Sequence, residues 1–281
     1  MLFSNAWKWC SSNVSFHYSE AFLATDIPSA DFVVVIPARF ASTRLPGKPL
    51  LDIGGKPMIQ RVYEQAKKSR AREVWIATDD ERIAHVARTL GARVCMTQGD
   101  HVSGTDRLQE VAQQQHWPEN TIVVNVQGDE PLIPPTIINQ VANNLARSGK
   151  AAMATLCERI TDIDVFLDPN AVKVVFDKDG HALYFSRAPI PWPRDAFREN
   201  QQVFPLHLAA YRHIGLYAYR VSFLHRFVGW SPTALEQTES LEQLRGMAQG
   251  VAIHVEEACE AVPGGVDTEA DLQQARVLLS P

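Results

Sequence analysis

Cysteine is scarce in this sequence: four in 281 residues, at positions 10, 95, 157 and 259. None lies in a C-x-x-C pair, and the spacings match no zinc or haem pattern. This excludes a disulfide-stapled scaffold, and the four read as isolated small apolar residues of a reducing compartment. Long apolar runs are lacking too: none approaches the roughly 20 residues that a membrane-spanning helix needs, so no membrane partner is expected. Excess positive charge is also missing. Lys and Arg number 27 against 32 Asp and Glu, a net charge of −5, which argues against a nucleic-acid partner. An anionic small substrate needs only a local cluster of cations and is not excluded. Three diagnostic loops do not occur. Without G-x-x-x-x-G-K-[ST] there is no Walker A loop, and without G-x-G-x-x-G no dinucleotide fingerprint. Without G-x-S-x-G there is no nucleophile elbow, so no covalent enzyme intermediate is expected.

What remains is ordinary globular material, 46% apolar and 21% charged, with length for one or two domains. Residues 1–31 stand apart. Lys8 is their only basic residue, and Ser, Asn and His interrupt the apolar ones, which is not a signal-peptide pattern. We read this segment as an N-terminal extension, either disordered or upstream of the true start, and expect a cytoplasmic protein. At Phe32 the character changes. FVVVI is β-branched and reads as a buried strand. Strand patterns at 73–78, 92–96 and 121–127 then alternate with amphipathic helical patterns at 57–70, 81–91, 105–115 and 134–147. This rhythm predicts an α/β fold with a mostly parallel sheet flanked by helices. After about residue 150 strands dominate, and Asp179-Gly180 between apolar runs predicts a hairpin. The pattern continues with a strand at 214–220, one helix over 235–250 ending at Gly250, a strand at 251–257 and a closing helix at 268–279. Thr268 with Asp271 resembles a capping box. No Pro/Gly/Ser-rich linker divides these blocks. The expectation is a single domain over 32–281 with an inserted antiparallel β subregion.

The loop after the first strand holds Arg39, Arg44 and Lys48 and no acid between residues 38 and 50. It leaves the carboxyl end of a buried strand, where open α/β sheets bind ligands. Three cations on a glycine-containing loop suit a polyphosphate. Other residues have two readings on their own: Asp129 in GDEP as a site residue or a turn, and Asp267 as a site residue or a helix cap. Ser103 or Thr105 is a good cap for the helix that follows. His213 and Tyr217, four apart on a strand, point to one face, as ligand contacts or as packing.

PARFASTRLPGKPL followed by GKPMI resembles the nucleotide-binding loop of the sugar nucleotidyltransferases. ATDDERI, HVSGTDRL, VNVQGDEPLIP, DPNAVKVV, ALYFSRAPIPW, HIGLY, LEQLR and PGGVDTEADL extend the resemblance in order over about 32–279. Together they resemble the cytidylyltransferases for acidic sugars, in the form of the 3-deoxy-manno-octulosonate (Kdo) cytidylyltransferases. The resemblance implies transfer of CMP from CTP to Kdo with release of pyrophosphate, for lipopolysaccharide synthesis, by a homodimer paired through the later β insertion and helices. It implies Arg44 and Lys48 on the triphosphate, with Arg39, Ser42, Asp79, Ser103, Gly104 and Thr105 along the nucleotide. It makes Asp129 and Asp267 the ligands of Mg²⁺, with Arg44, Lys48 and Asp129 the catalytic residues. Gln127, Arg187, His213, Tyr217 and Glu239 become the sugar contacts, with Glu236 a further candidate. Arg107 faces phosphate or sugar acid, and no general base is evident. Competing readings are a cytidylyltransferase for another acidic sugar (a sialic acid or an 8-amino variant) and a non-catalytic nucleotide sensor.

Overall fold

The computed structural model describes residues 29–41, 45–101 and 103–279. Ser42, Arg44, Cys10 and residues 1–28 of the expected extension lie outside them. The β-branched run forms β1 (Phe32–Ala38). Successive strand side chains point to opposite faces: Val33 and Val35 enter one core, Val34 and Ile36 another, and all four are fully buried. A strand covered on both faces explains the continuous apolar run. A short hairpin follows, β2 (Asp52–Ile53) and β3 (Lys56–Pro57). Next come α1 (Met58–Ala66), β4 (Glu73–Thr78), α2 (Glu81–Thr89) and β5 (Arg93–Met96). Then α3 (Gly104–Gln114), β6 (Ile122–Asn125) and α4 (Pro135–Arg147) complete the alternating half. Helix α1 buries the stripe Met58, Ile59, Val62, Tyr63 and Ala66, as its spacing predicts.

The second half comprises β7 (Met153–Arg159), α5 (Ile163–Leu167), β8 (Lys173–Phe176), β9 (Ala182–Ser186) and α6 (Arg194–Glu199). After them come β10 (Tyr211–Arg220), α7 (Val221–Phe227), α8 (Ala234–Glu239), α9 (Gln243–Ala248), β11 (Ile253–Glu257) and α10 (Glu269–Leu279). The main sheet runs β11-β7-β10-β6-β1-β4-β5. Strands β6, β1, β4 and β5 are mutually parallel, as are β7 and β11. β10 runs antiparallel between β6 and β7. The fold is α/β, a mostly parallel sheet with helices on both faces: α1, α2 and α4 cover one core, α3, α7 and α9 the other. β8 and β9 form the antiparallel hairpin, attached through β8 to β10. Gly180 turns it at φ 76°, and Asp177 accepts the backbone N–H groups of Asp179 and His181.

Two small cores position the site. Leu272 and Ala275 of α10 pack with Leu45, Ile53, Met58 and Val266, bringing the segment before α10 against the loop after β1. The insertion has its own cluster of Ile160, Phe166, Phe197 and Ala210. No helix among the described residues is long and apolar enough to cross a membrane. Cys95 and Cys157 are buried and unbridged, and Cys259 is exposed.

One expectation is corrected. The helix read over 235–250 is two helices, broken at Ser240, which takes a left-handed φ of 52°. Tertiary contacts override propensity here. The Glu239 carboxylate is anchored on β9, accepting from Ser186 Oγ at 2.6 Å and the Arg187 amide at 2.9 Å, while Arg187 Nε donates to the Glu239 carbonyl at 2.6 Å.

Candidate active site

A polar cleft of about 460 Å³ opens at the carboxyl ends of β1 and β6. Its centre is Lys48, at the start of a tight helical turn entered through Gly47 at φ 69°. The ammonium donates to Asp129 Oδ2 at 2.7 Å, the Val266 carbonyl at 2.9 Å and Asp267 Oδ1 at 3.1 Å. One cation therefore joins the loop after β1, the loop after β6 and the segment leading to α10. Two backbone features hold these loops together. Val266 N donates to the Asp129 carbonyl at 2.8 Å. A Cβ at Gly128 would stand 2.8 Å from the Pro37 carbonyl, so only glycine permits that approach. Glu130, beside Asp129, is half-buried. Burial first, and the Asp129 charge second, push its carboxyl up to about 8.

The second wall is the start of α3. Ser103 is its N-cap in a reciprocal box with Asp106: Asp106 N donates to Ser103 Oγ at 3.2 Å and Ser103 N to Asp106 Oδ2 at 3.1 Å. Ser103, Gly104, His101 and Arg107 line the cleft opposite Arg39 and Lys48. Arg107 is buried, donates to the Thr97 hydroxyl and stands 3.7 Å from Asp79. Two expected nucleotide contacts are not on the cleft surface. Thr105 is one residue into the helix, where the turn points it inward to 2% exposure. Asp79 does not line the cleft; it stands 3.7 Å from Arg107, which does. The expected cap at 268 holds, since Asp271 Oδ2 accepts the Thr268 N–H at 2.8 Å, which leaves the neighbouring Asp267 carboxylate to face Lys48.

Of the expected sugar contacts, Gln127 lines this cleft. The other four form a wall reached through β10, whose Tyr217 pairs with Asn125, two residues before Gln127. His213 and Tyr217 do share a face, with ring centroids 5.2 Å apart, even though the register shifts by a bulge between Ile214 and Tyr217. Thr155 fills that bulge, its Oγ1 lying 2.9 Å from the carbonyls of Ile214 and Leu216 and 3.0 Å from His213 Nε2. A hydroxyl has one proton to give. With it on a carbonyl, Nε2 is the donor and Nδ1 the acceptor of the imidazole. Burial, aided by Arg212, pulls the His213 pKa down to about 3, so the ring is neutral. Burial also raises the Tyr217 hydroxyl well above its usual range.

Arg187 and Glu239 brace each other. Burial opposes ionisation of Glu239, yet donors led by the Ser186 hydroxyl hold its carboxyl below the usual range. The Arg187 guanidinium also reaches the Pro169 carbonyl at 2.9 Å. Glu236 turns away from the wall: it caps α8 and pairs with buried Arg245. Sequence reasoning missed His101, inside a motif read for its small residues, and Thr155, whose role depends on contacts across the sheet.

A family model described as cytidylyltransferase matches residues 33–255. The chain is 62% identical over 249 residues to the 3-deoxy-manno-octulosonate cytidylyltransferase of Cellvibrio japonicus, covering 88% of this chain and 98% of that protein. It is 59% identical over 251 residues to the protein of the same name from Alcanivorax borkumensis, covering 88% and 98%. Among solved structures, a CMP:2-keto-3-deoxy-manno-octonic acid synthetase complexed with CTP superposes with a TM-score of 0.80 at 44% identity, covering 89% of this chain and 98% of that one. The lysine-centred cleft at the strand ends and this breadth of identity have one reading: the chain belongs to the cytidylyltransferase family, in its 3-deoxy-manno-octulosonate branch.

Proposed function

We propose that the cleft transfers CMP from CTP to Kdo, releasing pyrophosphate, and so activates the sugar for lipopolysaccharide synthesis. The observation that carries this reading is the Lys48 ammonium shared by Asp129 and Asp267 at the mouth of the strand ends. The chemical problem is repulsion between a sugar acid and a triphosphate. The protein answers it with positioned charge, the largest contribution to catalysis in transfers of this kind. Arg39 and Lys48 present positive charge to the β- and γ-phosphates and to the departing pyrophosphate, and Arg44 adds a third cation. Arg107, braced by Thr97 and Asp79, adds charge from the opposite wall. Ser103 and Gly104 leave room for the pyrimidine ring beside the first turn of α3. Gln127 offers an amide to the sugar, and the neutral His213 ring offers Nδ1 as an acceptor for a hydroxyl. The anomeric hydroxyl attacks the α-phosphorus in line and loses its proton to solvent, while the bond to the bridging oxygen breaks and its electron pair leaves with pyrophosphate.

Asp129 and Asp267 fit Mg²⁺. Among the described residues no group of three or more His, Cys, Asp or Glu side chains is gathered for a metal. Two carboxylates with open positions are what Mg²⁺ takes when substrate phosphates and water complete its shell. Bound there, Mg²⁺ supplies charge neutralisation at the α-phosphate and lowers the pKa of the attacking hydroxyl. The reading includes a cytoplasmic homodimer.

The test is pyrophosphate release from CTP with a panel of Kdo, an 8-amino analogue and a sialic acid. Kdo is expected to be turned over fastest, EDTA to stop release, and Asp129→Asn to lower it at least about 100-fold. Faster turnover of another acid overturns the substrate, and undiminished release by Asp129→Asn overturns the metal pair.

A further inference from the structure

Strands β7 and β11 run parallel to β6. At their amino ends, the opposite end of the sheet from the cleft, an open cavity of about 420 Å³ lies between the end of α4 and the β8–β9 turn. One wall is fixed, because the turn is clipped to β11: Val255 N donates to the Gly180 carbonyl at 2.7 Å. The other wall is the segment 144–150. Asn144 is buried, at 1% exposure. Its Oδ1 accepts from Arg147 at 2.6 Å, which fixes the amide, and its Nδ2 is a buried donor without a partner. His254 Nδ1 is a second buried atom without one, on a residue lining the same cavity. Leaving one such atom unmet costs about 1–3 kcal/mol. Among the described residues, no protein group accepts from the Lys150 ammonium or from the N–H groups of Gly149 and Lys150. The acids nearby are already answered. Lys178 donates to Asp179 at 2.7 Å, and Asp177 takes the N–H groups of Asp179 and His181. Glu256 accepts from Gln140 at 3.3 Å and lies 3.8 Å from Arg147. What the cavity has in surplus is donors.

We propose that this cavity is a second anion site, separate from the cleft, and that it takes a phosphate group. Arg147 and Lys150 supply the charge. The Asn144 amide and the N–H groups of Gly149 and Lys150 supply directed donors, a combination that suits a tetrahedral oxyanion. His254 adds a further donor in the tautomer that carries its proton on Nδ1. Inorganic phosphate, the pyrophosphate released in the cleft and the phosphate ester of a small metabolite share this chemistry.

The experiment titrates inorganic phosphate calorimetrically into the full chain with one equivalent of CTP present and no Kdo, and follows the melting temperature alongside. Phosphate is expected to bind with CTP in place and to raise the melting temperature, as a ligand of the folded state does. Two variants test the assignment. Lys150→Glu reverses a charge on the exposed rim. Asn144→Asp keeps the acceptor that Arg147 uses and replaces the unmet donor with an acceptor. Each is expected to weaken phosphate binding by about tenfold or more, the size of one lost hydrogen bond to a charged group, and to leave pyrophosphate release from CTP and Kdo within about twofold of the parent protein. Lys48→Ala, in the cleft, is expected to keep phosphate binding. Absence of phosphate binding with CTP in place, unchanged affinity in Lys150→Glu or Asn144→Asp, or its loss in Lys48→Ala overturns the proposal. Should Asn144→Asp not fold, Arg147→Gln, which removes a charge at the exposed end of α4, takes its place. Parallel titrations with pyrophosphate and with methyl phosphate separate the sources: the form held tightest, and lost in the same variants, identifies the ligand as free phosphate, reaction product or phosphate ester.

Discussion

At Lys48 a single ammonium answers two carboxylates from loops 81 and 219 residues away in sequence. Its removal has two effects in one direction: positive charge leaves the phosphate site, and Asp129 and Asp267 are left facing each other. Lys48→Ala is therefore expected to lower kcat/KM by about 10²–10³-fold, as loss of a preorganised charge contact does, read as pyrophosphate release. His213 gives a stability prediction whose sign is fixed by its pKa, about 3 in the fold against 6.5 when exposed. Between those values the unfolded chain binds a proton that the folded chain does not, so stability rises with pH. The contribution is fully present above 6.5 and is lost as pH falls towards 3. Urea midpoints at pH 7 and pH 4.5 should therefore diverge more for the parent protein than for His213→Gln.

At the scale of elements, the junction of α8 and α9 shows what a helical pattern leaves undecided. The residues read as one amphipathic helix, and the chain breaks at Ser240 because Glu239 is held on β9 and Glu236 on Arg245. The Glu236–Arg245 pair is nearly buried, with side-chain exposures of 11% and 8%. Removing one member strands the other charge, at about 3–5 kcal/mol. Arg245→Met is expected to cost that much in urea unfolding, and Glu236→Leu with Arg245→Met to recover most of it. The elements that were legible carry their own cause: β1 in its β-branched run, α1 in its apolar stripe, the Asp179-Gly180 turn in its dipeptide. The wall around Tyr217 was less legible, because a bulge in β10 and the hydroxyl of Thr155 on another strand set its geometry.

For the whole molecule, Leu183, Trp192, Val203 and Leu206 are exposed within the insertion, Leu206 at 87%. A dimer paired through the insertion would cover them. The proposed dimer should scatter light as twice the 31.3 kDa chain, and Trp192→Asp with Leu206→Asp should halve that mass. A chain of net charge −5 handles a polyanion because its cations converge locally, which composition does not reveal. The sequence by itself determined the α/β alternation, the loop of cations after β1 and the family, because periodicity, turn dipeptides and ordered motifs are local properties of the chain. Only the tertiary structure decided that Lys48 bridges Asp129 to Asp267 and that Arg107, rather than Thr105 or Asp79, lines the cleft. Those facts depend on which loops the sheet order and α10 bring together, and no local stretch of sequence encodes that distance.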